Sequence, residues 1–598
     1  MGDFSRRAYR NIKSNAYGQA SFTNPDYLLG LPKSVTDING LTTTFTYDRF
    51  GRPIGKKDAY GVVASTEFSS NSSSDTYWPS GAVYSIKQTT TAPDTGITTA
   101  ADGTVAPVSV SYYDRLNRVL RTRSEIFGKT QPGVVLKDTK YDAYGRTSMT
   151  SLPYVAGSTQ RWIKYGYDAL GRAIRVTNPD DSFATWDYSA TATVGSRVIA
   201  TDPLRQITTT ETNRVGQVTK VTDSLKGIIT YAYDAYGNPK STKAPGNVVT
   251  SFNYDAFGRK LAMTDADMGK WTYRYNGFGE LIQQTNVAAQ GSGQPRGQTT
   301  PALSTYFCYD LLGRTVTKSA QQTNGGFLST TYVYDNSTNG PANTRGKLLN
   351  VCKSDSTYRE DYGYGDKGRM TSIAYTLNTL ASGTYTIGKT YDEIGREKTT
   401  TYPNGFATLN QYDGKGWLCS VVNALTPSIA YWTLDSMDAG GRVTGESFGN
   451  GANTTHGYDP KTGFTTDIAT TNGTGAIQNN HYEFNSLGNL KSRQDRLPGG
   501  QLESFEYDPL NRLISTVSGA ASTIVTYTAS GGILSKTGVV GTYTYAAGTH
   551  ALTSLMVGKK AMSSYTYDAR GNMLTGAGRT YTWTVSYTHL TLPTKRIV

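Results

Sequence analysis

For 598 residues the chain is poor in cysteine, histidine and charge. Its three cysteines, Cys308, Cys352 and Cys419, are an odd set without C-x-x-C spacing, which supports neither a disulfide framework nor a structural zinc site. They are expected as small apolar core residues. The four histidines, His456, His481, His550 and His589, show no paired spacing that would hold a metal. Charged residues make up 18%, against a typical ~25%, so disorder driven by high charge is excluded. No apolar run approaches the ~20 residues of a membrane span, and the mean hydropathy is −0.46. No apolar signal-peptide core follows Met1-Gly2-Asp3-Phe4-Ser5-Arg6-Arg7, so export is expected to use another route or a segment outside this sequence. Lys and Arg exceed Asp and Glu by 59 to 46, a net +13, yet they never run beyond adjacent pairs such as Lys56-Lys57. A solvated surface is the expected reading. Nucleic acid is not expected as a partner, and a glycan is kept as a candidate.

What is abundant is glycine, 64 residues, and tyrosine, whose 44 outnumber the 17 Phe and 7 Trp together. The tyrosines fall in a recurring phrase, Y-D-x-x-G-R. Full copies are Tyr47-Asp48-Arg49-Phe50-Gly51-Arg52, Tyr141-Asp142-Ala143-Tyr144-Gly145-Arg146 and Tyr167-Asp168-Ala169-Leu170-Gly171-Arg172. Three more are Tyr254-Asp255-Ala256-Phe257-Gly258-Arg259, Tyr309-Asp310-Leu311-Leu312-Gly313-Arg314 and Tyr391-Asp392-Glu393-Ile394-Gly395-Arg396. Looser copies begin at Tyr113, Thr212, Tyr233, Tyr275, Phe484, Tyr507 and Tyr567. Asn replaces the fifth-position Gly in the copies at Tyr113 and Tyr507, and these are the two residues that best tolerate positive φ, so a left-handed turn position is predicted. Asp at the second position is suited to an Asx turn onto the backbone two residues on. The Arg is placed to pair with that Asp.

Copies recur at 21 residues, as from Tyr233 to Tyr254 to Tyr275, or at 26, as from Tyr141 to Tyr167. That period fits two short strands and two turns. Arg259, Leu261 and Met263 alternate with Lys260, Ala262 and Thr264, and Trp271, Tyr273 and Tyr275 alternate with Lys270, Thr272 and Arg274, a period of two. Asn404-Gly405 is a strong hairpin signal, and helical periodicity is nearly absent. A hairpin of ~20 residues cannot bury its own face, so consecutive hairpins are expected to pair into one long curving sheet, with stability spread over neighbours. The fold class is all-β, a spiral of hairpins.

Several motifs resemble functional sites and are read as structural. Gly363-Tyr364-Gly365-Asp366-Lys367-Gly368 matches G-x-G-x-x-G, but it lies in a repeat ending at Arg369 rather than opening a helix. Gly445-Glu446-Ser447-Phe448-Gly449 matches a nucleophile elbow, yet Ser447 aligns with an ordinary strand position before a hairpin turn. Asp265-Ala266-Asp267-Met268-Gly269 lacks the bidentate Glu of a calcium loop, with Asn276 at the twelfth position. No catalytic, cofactor-binding or metal-ligating residues are predicted, and no cofactor.

The repeated Y-D-x-x-G-R phrase, from about residue 40 to 572, resembles the RHS/YD-repeat family of bacterial polymorphic toxins, with relatives in the teneurins and the C component of insecticidal toxin complexes. The resemblance implies a hollow shell of β-hairpins that encapsulates a C-terminal toxin domain, itself not an enzyme, in a protein that is secreted or at the bacterial surface. Implied partners are that toxin domain, a secretion-system spike and an immunity protein. The family's D-P-x-G cleavage site is not carried over, because Asp508-Pro509 belongs to a repeat. The alternative is a surface adhesion or carbohydrate-binding protein. The expected organisation is a partial repeat region at 1–39, a YD-repeat shell at 40–584 with loop insertions near 63–111 and 283–302, and a tail at 585–598. That tail has no repeat character, resembles translated sequencing adapter found on proteins from metagenomic reads, and is expected to be non-native.

Overall fold

The computed structural model describes residues 12–26, 28–70, 74–93, 103–129, 133–188, 195–286, 302–322, 325–335, 344–378, 383–473, 475–581 and 583. The tail at 585–598 lies outside them, as does most of the expected insertion at 283–302. These residues form 49 strands and no α-helix, with short 3-10 segments such as those at Pro245–Asn247 and Asp366–Gly368.

Each strand pairs antiparallel with the next, from Ile12–Ser14 through Ile533–Lys536, in a single 44-stranded meander. The order departs from strict succession once. Gly133–Tyr141 pairs with both Thr147–Ser151 and the short Tyr154–Val155, and Trp162–Tyr167 returns to Thr147–Ser151. The last five strands form a second sheet, but the Tyr545 hydroxyl donates to the Ile533 carbonyl at 2.8 Å and carries the contact across the break. The strands at Ala20–Asp26 and Leu31–Thr36, from the expected partial repeat region, belong to the main sheet.

Period-two alternation translates directly into register. Lys260–Asp265 and Gly269–Tyr275 pair with Met263 opposite Trp271 and Ala262 opposite Thr272. Neighbouring strands also join through side chains, as Thr36 with Thr42 at 2.7 Å and Thr454 with Thr470 at 2.9 Å, the cross-strand pairs expected of a Thr-rich sheet.

The sheet coils on itself. Leu311 N–H donates to the Tyr17 hydroxyl, Arg345 Nη1 to the Ile38 carbonyl at 3.0 Å, Arg369 to the Tyr60 hydroxyl, and Lys415 Nζ to Thr104 Oγ1 at 2.8 Å. Further along, Gln206 meets Asn511, Asp267 meets His550 and Asn286 meets Arg570. Partners are always 283 to 316 residues apart. The chain therefore makes two wraps, with the YD turns of the second resting on the opposite turns of the first. Tyr17 follows the first strand and Leu311 the twenty-fifth, so one wrap takes 24 strands.

Little of this is a globular core. Among the described residues 16 hydrophobic side chains are buried, and nine lie between Val105 and Tyr154. Here two expectations are corrected. Much of the described part of 63–111 is not loop: Val63–Ser70 and Tyr84–Thr91 are long strands paired over eight positions, and Tyr77, Trp78 and Ala82 pack onto Val108, Val110 and Tyr112. A run of Ser and Asn hid two strands whose register is set by pairing rather than by apolar alternation. Nor are the cysteines core residues, since Cys308 is exposed and Cys352 and Cys419 are half-buried. The three cysteines lie on accessible stretches of the sheet, which buries other small apolar residues such as Ala320 and Ala452 instead.

Candidate functional site

The repeat module is a hairpin turn with a left-handed fifth residue. In the copy at Tyr141, Gly145 N–H donates to the Asp142 carbonyl at 3.0 Å and Asp142 N–H to the Arg146 carbonyl at 2.8 Å. The register slips by one residue between Lys140 and Tyr141, giving a type I turn closed by a glycine bulge. Gly145 has φ +81°, and the Asn residues at the same position, Asn117 and Asn511, have φ +62° and +60°.

The carboxylate of the module's Asp organises the turn. Asp142 Oδ1 accepts from the N–H groups of Tyr144 and Arg146, each at 2.9 Å, and Oδ2 accepts Arg146 Nε at 2.7 Å. Burial pushes this carboxyl up, but the hydrogen bonds from the Arg146 guanidinium, the Arg146 N–H and the Tyr144 N–H outweigh it and hold it below the ordinary value. The same balance lowers Asp48, Asp168, Asp255, Asp310 and Asp508.

Arg and Tyr join one module to the next, a role the motif alone did not disclose. Arg146 lies over the Tyr167 ring of the following copy, 4.6 Å from its centroid, and its Nη1 donates to the Asp168 carbonyl at 3.1 Å. The Tyr167 hydroxyl returns a bond to the Thr147 carbonyl, directly after Arg146, at 2.7 Å. Arg118 over Tyr141, Arg314 over Tyr334, Arg396 over Tyr412 and Arg512 over Tyr527 repeat the stack. The matching hydroxyl bond runs from Tyr47 to Pro32, Tyr309 to Leu281 and Tyr391 to Met370. The recurrence of an Arg ahead of the next Tyr was the available signal, and a spacing that runs from 15 residues, Arg512 to Tyr527, to 23, Arg118 to Tyr141, obscured it.

The six full motif copies thus place Asp, Gly and Arg in one geometry. Asp48 takes Arg52 Nε, Asp168 takes Arg172, Asp255 takes Arg259, Asp310 takes Arg314 and Asp392 takes Arg396, all within 2.6 to 2.7 Å. Gly51, Gly171, Gly258, Gly313 and Gly395 all have positive φ. The copy at Tyr364 departs from the pattern. Gly365 replaces its Asp, and Arg369, without that partner, turns to Tyr60 of the first wrap.

The motifs that resemble catalytic sites have no such convergence. Ser447 is paired with Asn453, and its Oγ contacts Asp435 at 2.5 Å and Asn453 at 2.8 Å. His456 bonds Glu446 at 3.0 Å, and because Glu446 and Ser447 are adjacent in one strand, His456 lies on the opposite face from Ser447. Gly363 to Gly368 ends a strand and leads into the strand at Met370–Leu377, with no helix to receive a phosphate. Asp265 closes an Asx turn onto Asp267 and Met268. Among the described residues no three His, Cys, Asp or Glu side chains group to hold a metal, and no helix is long and apolar enough to cross a membrane.

The comparisons agree with this geometry. Residues 28–63 match the RHS Repeat model and residues 188–341 the Teneurin YD-shell model. No curated protein matches the sequence. Among solved structures, the chain resembles TcdB2-TccC3 without its hypervariable C-terminal region, at 14% identity and a TM-score of 0.69, covering 96% of this chain and 39% of that one. It also resembles TcdB2-TccC3-Cdc42, at 15% identity, TM-score 0.69 and coverage of 97% and 34%. A mutant Tc holotoxin pore from Photorhabdus luminescens matches at 14% identity, TM-score 0.65 and coverage of 95% and 38%. The chain thus spans about two fifths of the length of the first of these structures. It carries RHS and YD-shell repeat sequence at residues 28–63 and 188–341 and shares its fold with these structures.

Proposed function

We propose that this chain is part of the wall of a container, a shell that encloses a C-terminal toxin domain of a longer polypeptide and is secreted or displayed at the bacterial surface. The observation that carries this reading is a sheet that coils through two wraps with few buried apolar side chains among the described residues. With 24 strands to a wrap and ~4.8 Å between strands, the ring is about 115 Å around and at least 35 Å across. The 16 buried hydrophobic side chains found among the described residues are too few to fill such a ring. Supporting it further, the module's Tyr and Arg side chains are engaged with each other along the wall. That leaves fewer of them for the stacking an adhesion or glycan-binding surface needs.

Sequencing the source locus past the codon for Thr584 and expressing the whole polypeptide tests the proposal. The expected result is an unrelated terminal domain that resists protease until the shell is denatured. A terminal domain digested as fast in the native protein as in the denatured one overturns it, as does a stop codon or cell-wall anchor directly after the repeats.

A further inference from the structure

Strand alternation gives this part of the wall an aromatic face and a polar one. In the strand at Trp162–Tyr167, Ile163 and Tyr165 share their face with Val176 and Ala184 of the next two strands. Lys164 and Gly166 take the other face, with Thr177, Arg175 and Thr185. Trp162 falls on that polar face by the same alternation, although its indole is the largest ring in the strand. It belongs to no YD module, and neither do Tyr77 and Tyr154. These three residues border a hollow of about 630 Å³, together with Thr76, Ser158 and Gln160.

The base of the hollow is a hydrogen-bonded network whose charges cancel. Arg121 and Asp138 stand opposite each other on neighbouring strands and pair twice, Nε to Oδ1 at 2.5 Å and Nη2 to Oδ2 at 2.9 Å. Arg121 Nη1 also donates to the Tyr77 carbonyl at 2.9 Å and ties down the segment that carries that ring. The Tyr154 hydroxyl donates to Asp138 Oδ2 at 2.7 Å, and Gln160 Nε2 donates to Asp138 Oδ2 at 2.8 Å and to the Tyr154 hydroxyl at 2.9 Å. Both amide hydrogens of Gln160 are thereby held, which leaves its Oε1 as a fixed acceptor. Thr76 and Ser158 add hydroxyls on exposed residues at the border. Lys140 Nζ stands 4.6 Å from the centroid of the Trp162 ring but does not line the hollow, so it leaves that border of the ring open.

An anion entering here meets a guanidinium already satisfied by Asp138, and a cation meets a carboxylate already taken by Arg121. What the hollow offers instead is flat rings beside fixed, uncharged donors and acceptors, the complement of a molecule with C–H faces and many hydroxyls. We propose that this hollow binds a neutral saccharide, with Trp162 and Tyr77 stacking on a sugar ring and Gln160 Oε1 accepting from one of its hydroxyls. The network beneath holds these groups in place before the sugar arrives. All six bordering residues lie within one wrap, so the site stands whether or not the wall continues or encloses a toxin.

Saturation-transfer NMR of the purified chain with the methyl glycosides of glucose, galactose, mannose and N-acetylglucosamine tests this, followed by titration of whichever is bound. Binding of one or more is expected, with an affinity unaltered by salt because no net charge is engaged. Gln160→Ala is expected to weaken it about tenfold. Thr76→Trp, at an exposed position on the border, is expected to abolish it by filling the hollow, with unchanged circular dichroism as the folding control. Trp162→Ala is expected to abolish binding, whereas Trp162→Phe, which keeps a flat ring, is expected to retain most of it. No binding of any of these glycosides overturns the proposal. So does binding that survives either Trp162→Ala or Thr76→Trp, which puts the sugar elsewhere, or tighter and salt-sensitive binding of methyl glucuronide, which makes this an anion site.

Discussion

Lys415 Nζ lies 2.8 Å from Thr104 Oγ1, across 311 residues of chain, and 3.2 Å from the Glu125 carboxylate. The lysine is 8% exposed, so the seam encloses a charge that depends on its partners. Truncating one partner strands the other, and Lys415→Ala is expected to cost about 3 kcal/mol. Replacing both ends of the ion pair, Lys415→Met with Glu125→Leu, is expected to restore most of that loss because no buried charge is left unpaired. Urea denaturation of the three variants checks this; a double variant no more stable than the single one overturns it.

The link between modules gives a local prediction. Arg146→Lys keeps the charge but loses the Nε bond to Asp142, the planar stack on Tyr167 and the bond to the Asp168 carbonyl. A loss of about 1–2 kcal/mol is expected. Tyr167→Phe removes only the bond to Thr147 and is expected to cost about 1 kcal/mol. In a repeat sheet the effect stays near the change. Hydrogen exchange is expected to quicken over residues 141–177 and to be unaltered in the copies around Tyr391 and Tyr507. Uniform quickening along the chain would contradict a nearest-neighbour wall.

Much of this was legible in the sequence because it is local. Asp142, Gly145 and Arg146 act within six residues, so the motif spelled out the turn, the left-handed position and the ion pair. The all-β sheet followed from alternation such as Met263 against Trp271. What was not legible is what lies between copies or between wraps. Arg146 over Tyr167 joins copies 26 residues apart, and Lys415 to Thr104 joins residues with no shared motif. Trp78 packing on Tyr112 was hidden behind a Ser- and Asn-rich stretch, where the apparent loop is a cover on a small core.

The module carboxylates also fix an acid limit. Asp48, Asp142, Asp168, Asp255, Asp310 and Asp508 sit below their ordinary 3.8 in the folded chain. A carboxyl lowered on folding contributes stability above its unfolded value, and that contribution is lost as pH falls through the folded one. The urea midpoint is therefore expected to be level with respect to these groups near pH 5 and to fall steadily below about pH 4. Asp142→Asn with Asp168→Asn is expected to lower the midpoint at pH 5 and to make the acid decline shallower. An equally steep decline in the double variant would assign the acid sensitivity to other groups.

Two glycines at the same motif position separate conformation from contact. Gly216 and Gly416 have φ +85° and +81°, but nothing lies within 4 Å of a Cβ placed on Gly216, whereas one on Gly416 would clash with the Val105 carbonyl oxygen of the first wrap. Asn holds this position with positive φ at Asn117 and Asn511. Gly216→Asn is therefore expected to be nearly neutral, and Gly216→Ala to cost about 1–2 kcal/mol for the left-handed backbone alone. Gly416→Ala carries the same backbone cost and also forces the seam apart where Lys415 meets Thr104. It is expected to cost distinctly more and to raise hydrogen exchange on both wraps, around residues 103–110 as well as 412–418. Equal losses at the two alanines, with exchange raised only around the mutated turn, would mean that the seam gives way easily at this point and does not hold the wraps together there.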